Sequence, residues 1–274
     1  DPRHIAAHLI GSRIGAPAMF LQPELLSMMA FRSLRIQYKH GHCVHALNAW
    51  TLYGMVLASR LYKSGKGDAF GKLALLLTKR FKSRAMAARV EHLYNAVVRH
   101  WHEPLRNCID PLQQAYRLAM ENGDFEYAVL ALVVRMMDQL DSGLDLDTLQ
   151  SELREYHGAI KQLRQGHTLD YVDIYLQFCE NMRGKAKDPT VLIGKYYDIE
   201  AKRQEHEKTG DKSLIVIDHD MTLLTRYLFG DVKGALIEAN AISVDDASIA
   251  GFFMSARMTL LDTLIRFANV HGAT

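Results

Sequence analysis

Histidines and carboxylates in three short clusters are the residues best placed for chemistry. His40-Gly41-His42-Cys43-Val44-His45 sets His42 and His45 three residues apart, where one helix face could hold both beside the Cys43 thiol. A zinc site needs three or four converging N, S or O ligands with partners behind them. No spaced second motif supplies the rest, so structural or surface histidines are the plainer reading. In His100-Trp101-His102-Glu103, His100 and His102 point about 200° apart on a helix. They could share an ion only if the helix ends there, as Pro104 indicates, and core or capping roles for Trp101 and Pro104 come first. Asp218-His219-Asp220 has the order of a carboxylate-oriented base. No nucleophile is identifiable beside it, and Asp220 serves equally as a helix cap or surface charge.

Two other features have plainer explanations. Gly65-Lys66-Gly67-Asp68-Ala69-Phe70-Gly71-Lys72 is rich in Gly and Lys, but a phosphate loop needs Gly, four residues, then Gly-Lys-Ser/Thr. Lys66 stands five residues before Gly71 and Leu73 follows Lys72, so the register fails and a repeat turn is expected. Met28-Met29 and Met136-Met137 could mark adaptable binding surfaces, but ordinary core packing accounts for them. No residue is assigned as catalytic, cofactor-binding or metal-ligating, no cofactor is expected, and binding residues stay unknown.

These residues must be positioned by helices. Apolar residues recur with helical periodicity along almost the whole chain of 274 residues. Val90, Leu93, Tyr94, Val97, Val98 and Trp101 form one face, Leu112, Ala115, Tyr116 and Ala119 another, and Phe253, Ala256, Leu260, Leu261, Leu264, Ile265 and Ala268 a third. The pattern predicts about twelve helices, near 23–38, 42–63, 68–81, 85–101, 110–121, 125–140, 146–164, 168–183, 189–207, 213–229, 232–243 and 247–270. The strand-like run Leu214-Ile215-Val216-Ile217 leads into a helical pattern and is read as a helix start. Asp110-Pro111 and Asp188-Pro189 read as a cap followed by Pro in the first turn. Gly123, Gly143, Gly166, Gly184 and Gly230 stand where helices should stop. The polar stretch Arg203–Lys212 reads as a mobile loop.

A Gly-Asp step recurs between helices at Gly67-Asp68, Gly123-Asp124 and Gly230-Asp231, 56 and 107 residues apart. The last two read Gly-Asp-apolar-x-x-Ala. Gly allows the turn, Asp caps the next helix, and the apolar residue and Ala face the partner helix. Leu112, Ala115, Tyr116, Ala119, Gly123, Phe125 and Ala128 fall at the tetratricopeptide spacing, with Tyr116 where Gly or Ala is usual. The expected fold is therefore all-α, a tetratricopeptide-like α-solenoid in a single helical-repeat domain over 1–274.

The net charge of +2 argues against a nucleic-acid partner. Three distant cysteines, Cys43, Cys108 and Cys179, favour a reducing compartment. No run of ~18 apolar residues predicts a membrane span. The Asp1-Pro2-Arg3-His4 start lacks a signal-peptide pattern and reads as the edge of a piece of a larger protein.

Four stretches together resemble a known family: Ala46–Gly54 with Phe70–Ala74, His100–Leu105, Ala115–Ala128, and Tyr227–Asp231 with Ala235. They are similar to the helical-repeat region following the AAA-type ATPase module of large multi-sensor signalling kinases, which join a predicted STAND-type ATPase to a kinase-like domain, a GAF sensor and often a histidine kinase. The resemblance implies a cytoplasmic, bacterial-type regulatory scaffold without catalytic residues of its own. Its expected partners are a protein or neighbouring domains of the same chain, with self-association open. A free-standing repeat adaptor or secreted bacterial effector is one alternative. A metal-dependent sensor or enzyme using the His-rich N-terminal third is the other.

Overall fold

A computed structural model describes residues 1–164, 166–243 and 246–271. Among them are thirteen α-helices and no strand, only an isolated antiparallel bridge between Ile193 and Asp198. The helices are α1 (Pro2–Leu21), α2 (Glu24–His40), α3 (Asn48–Met55), α4 (Ser64–Arg80), α5 (Arg84–Val97), α6 (Arg106–Glu121), α7 (Phe125–Asp141), α8 (Leu146–Gln162), α9 (Leu169–Met182), α10 (Ile199–Thr209), α11 (Lys212–Leu228), α12 (Val232–Ala241) and α13 (Met254–His271). No described helix is long and apolar enough to cross a membrane. The chain forms two compact units: residues 1–142 with 250–253, and residues 143–249 with 254–274.

In the first unit each helix packs on the next, and α3 also meets α5 as α5 meets α7. Its core gathers Met55, Tyr94, Val97, Val98, Cys108, Leu112 and Val134, with Phe252 against them. On α6, Cys108, Leu112, Ala115 and Ala119 are buried at helical spacing, as the periodicity predicts. In the second unit α8 packs on α9, while α11 touches α9, α10, α12 and α13. There Leu223, Ala235, Ala239, Leu261 and Ile265 form an apolar cluster. The run at Leu214–Ile217 lies in α11, as expected.

Several boundaries depart from expectation. Helix α1 was not anticipated, because its apolar residues fall on every side and give periodicity no single face. The span 42–63 is broken into a 3-10 turn, α3 and a π-helical turn, Val56–Arg60. Pro111 lies inside α6, not at its start. It cannot donate to the Asn107 carbonyl, and Arg99 Nη1 donates there instead at 2.9 Å. Asp188-Pro189 does not open a helix. Asp188 Oδ1 accepts from the Thr190 N–H and hydroxyl at 2.9 and 2.7 Å, closing a local turn, and α10 begins ten residues later under the Asp198 cap. The Arg203–Lys212 stretch is not a loop: α10 continues to Thr209 and stops at Gly210 in the left-handed region. Gly166 sits in a 3-10 turn without positive φ, whereas Gly123, Gly143, Gly184 and Gly230 adopt the expected one. On α13 the buried face is Met254, Met258, Leu261 and Ile265, leaving Leu260 and Leu264 exposed.

The Gly-Asp steps separate likewise. Asp231 caps α12 through Gly234 N at 2.9 Å, as predicted. Asp124 places no side-chain bond on α7; its carboxylate takes Arg89 Nε at 2.6 Å. Ala128 and Ala235 are fully buried, but Phe125 is 42% exposed. Gly67 is not in a turn at all. It faces Gly54 across the α3–α4 contact, where a Cβ would lie 2.5 Å from Gly54 O and 2.8 Å from Ala58 Cβ.

Alanine is the better helix former by about 1 kcal/mol, so the contact decides the sign. Gly67→Ala is expected to destabilise the chain by about 1–3 kcal/mol. Gly158→Ala in α8, where nothing lies within 4 Å, is expected to be neutral or stabilising. Urea unfolding followed by circular dichroism compares the two, and equal effects would refute a tight α3–α4 contact.

Candidate functional site

The N-terminal helices enclose a half-open groove. Asp1 caps α1 by accepting from Arg3 N at 2.9 Å, and Pro2 opens the helix without needing a donor. Gly41, at φ 87°, ends α2 and turns the chain toward α3. Between α1, α2 and α3 lies a cavity of about 450 Å³, walled by Ile10, Ile14, Leu26, Met29, Ile36 and Leu52. His8, Ser12, Arg32, Ser33, His45 and Asn48 supply its polar groups. The Ser33 hydroxyl and His8 Nδ1 lie 3.1 Å apart. Burial, then the neighbouring His4 and His45, hold the His8 pKa below its ordinary value. One can donate a hydrogen bond to the other, with the direction set by the His8 tautomer. Ser33 sits mid-helix, where neighbouring backbone N–H groups serve the helix ladder, so α2 offers no oxyanion hole of its own.

In the second unit the titratable groups face one another. His206 is 2% exposed and sits between two carboxylates, with Nδ1 2.6 Å from Asp218 Oδ2 and Nε2 3.1 Å from Asp170 Oδ2. Lys202 Nζ reaches Asp170 at 3.0 Å, and the Tyr197 hydroxyl donates to Asp218 Oδ1 at 2.6 Å. Burial opposes the imidazolium, but hydrogen bonds and charge from Asp170 and Asp218 outweigh it and raise the His206 pKa to about 9. Burial likewise opposes the charged Asp170, yet His206 and Lys202 hold its pKa below the usual value. The network joins α9, α10, α11 and the segment before α10. Its donors and acceptors are spent on each other, which suits structure rather than turnover.

The three clusters singled out in the sequence are placed separately. His42 is exposed, its Nδ1 3.4 Å from Gln37 Oε1 and its ring 5.8 Å from Trp50; His45 turns into the groove. Among the described residues no three of His, Cys, Asp and Glu converge on a point suited to a metal ion. His100 lies edge-on to Phe253, and burial, partly offset by backbone groups at Asn95 and Gly251, pushes its pKa down to about 4. His102 is exposed. Asp218, His219 and Asp220 go three ways: to His206, to Glu238 Oε2 at 2.7 Å, and to Arg257. Met136 and Met137 are core, whereas Met28 is 66% exposed and Met29 lines the groove.

Sequence reasoning missed His8, Ser33, His206 and Asp170. His206 lies in the charged stretch taken for a loop, and its only signal was an Asp198 cap with Gly210 eleven residues after Ile199. The His8–Ser33 pair spans 25 positions and carries no sequence signal.

Because the His206 pKa rises from 6.5 to about 9 on folding, its contribution is complete below pH 6.5 and is lost as pH climbs through 9. That of Asp170 runs the other way and is lost as pH falls below about 4. His206→Ala is therefore expected to cost roughly 3–5 kcal/mol near pH 6 and clearly less at pH 9.5. Urea unfolding at both pH values measures this; equal losses would mean a neutral imidazole.

No family model matches the chain. It is similar to hybrid signal transduction histidine kinase G of Dictyostelium discoideum, 24% identical over 149 residues. The match covers 53% of this chain and 4% of the length of that kinase. The chain is thus distantly similar to part of a signalling protein.

Proposed function

We propose that the chain is a non-catalytic, tetratricopeptide-like helical scaffold carrying protein- or ligand-linked regulation within a larger cytoplasmic signalling ATPase or kinase. One observation carries the reading: in the first unit each helix packs on the next while α3 meets α5 and α5 meets α7, the neighbour pattern of stacked hairpins. Stacked hairpins present elongated grooves, and such a groove lies between α1, α2 and α3. The distant similarity to a histidine kinase supports the signalling context. In such a setting, a bound partner regulates by favouring one arrangement of the array over another.

The metal-dependent or enzymatic alternative has its own residues to test, His42 with His45 and His8 with Ser33. Calorimetric zinc titration of the purified chain is expected to give no stoichiometric binding, and a panel of esters and phosphoesters no turnover. Stoichiometric zinc uptake abolished by His42→Ala, or turnover abolished by both His8→Ala and Ser33→Ala, would overturn the scaffold reading.

A further inference from the structure

We infer that the α1–α2 groove receives an acidic amphipathic helix supplied by another protein. The apolar ridge of that helix would fill the groove, and its carboxylates would meet Arg32, Arg35 and Lys39. The inference rests on the scaffold reading and gives it a ligand class.

The first argument is the sequence of α1. The apolar residues of α1 fall on every side of the helix, so a single neighbour cannot cover them, and Ile5, Leu9, Ile10, Ile14 and Leu21 are 41–61% exposed. On α2, Leu25, Met28 and Phe31 are exposed as well. Exposed apolar area of this density marks an interaction site.

The second argument is charge. Residues 1–67 hold eight Lys and Arg against two Asp and Glu, a net +6 in a chain whose total is +2. Asp1, one of the two acids, is already paired with Arg3. Arg32, at the wall of the groove, continues into Arg35 and Lys39 at offsets of three and seven, one exposed stripe about 10 Å long. None of the three has a carboxylate partner among the described residues. A partner helix with Glu or Asp at the same offsets meets all three, while its apolar residues at i, i+3, i+4 and i+7 enter between Ile10, Ile14 and Met29.

The shape decides between a helix and a lipid surface. Ile10, Ile14, Leu26, Met29, Ile36 and Leu52 wall a concave cavity, which takes a ridge of side chains, whereas a bilayer engages a convex apolar edge.

The test titrates the full chain with fluorescent 18-residue helical peptides carrying Leu at i, i+3, i+4 and i+7. One set is flanked by Glu and one by Lys, and vesicles of phosphatidylcholine with 30% phosphatidylserine form a separate arm. The Glu peptide is expected to bind saturably, at least about tenfold more tightly than the Lys peptide, and more weakly as salt rises. Arg32→Glu with Arg35→Glu is expected to abolish that preference, and Ile10→Glu to weaken binding to both sets. All three positions are solvent-exposed, so thermal melts should match the parent chain. Equal affinity for both peptides, no saturable binding, binding to vesicles alone, or concentration-dependent dimerisation blocked by Ile10→Glu would each overturn the inference. None of these results touches the zinc and turnover assays, so the scaffold reading stands or falls separately.

Discussion

The Asp218 carboxylate has no exposed surface and lies in the middle of α11. An unpaired charge there would cost several kcal/mol, so the second unit is arranged around the donors that keep it. Tyr197 arrives from the irregular segment before α10, and His206 from α10 itself. His206 then brings in Asp170 of α9, which brings in Lys202. Each partner fixes the angle of the element that carries it. Neighbouring charges on α11 repeat the device: Asp220 meets Arg257 of α13, and His219 meets Glu238 of α12. One helix thus bonds to α10, α12 and α13 through polar groups and to α9 by way of His206, while the apolar cluster around Leu223 and Ile265 fills the space between α11, α12 and α13.

The first unit reaches close packing by omission of side chains. Gly54 and Gly67 let the backbones of α3 and α4 touch, and Gly71 lies against the Tyr94 ring, where a Cβ would overlap it. The Tyr94 hydroxyl, in turn, donates to the buried Asp68 at 2.6 Å, with Lys72 beside that carboxylate at 2.8 Å. The π-helical turn at Val56–Arg60 follows immediately on α3 and widens the helix where α4 approaches. The Gly- and Lys-rich stretch that superficially resembled a phosphate loop is, physically, a smooth helical surface.

Helix type was legible because it depends on spacing within ten or twenty residues. The face of α6 and the left-handed glycines at 123 and 230 came directly from such local patterns. Element boundaries failed where a distant group intervened. Pro111 could sit inside α6 only because Arg99 replaced the lost donor, and Asp124 left its capping role for Arg89, whose guanidinium also lies 4.5 Å from the Tyr127 ring centroid. The C-terminal half of α10, from Arg203, reads as a loop because its buried histidine is compensated by carboxylates 12 and 36 residues away. The groove was hidden for a related reason: its polar pair and its apolar walls come from three helices, and none announces the others.

The return of residues 250–253 to the first unit has a bearing on how the chain is made. The Trp101 indole N–H donates to Gly251 O at 2.9 Å across 150 positions, and Gly251, at φ +91°, fits where a Cβ would lie 2.6 Å from Met55. The first unit therefore waits for residues that leave the ribosome long after its last helix. At about 5–20 residues per second, that delay is roughly five to twenty seconds. During it the Trp101 indole and the surface around Met55 stay uncovered, an interval in which a nascent chain of this kind is open to chaperones and to misassembly.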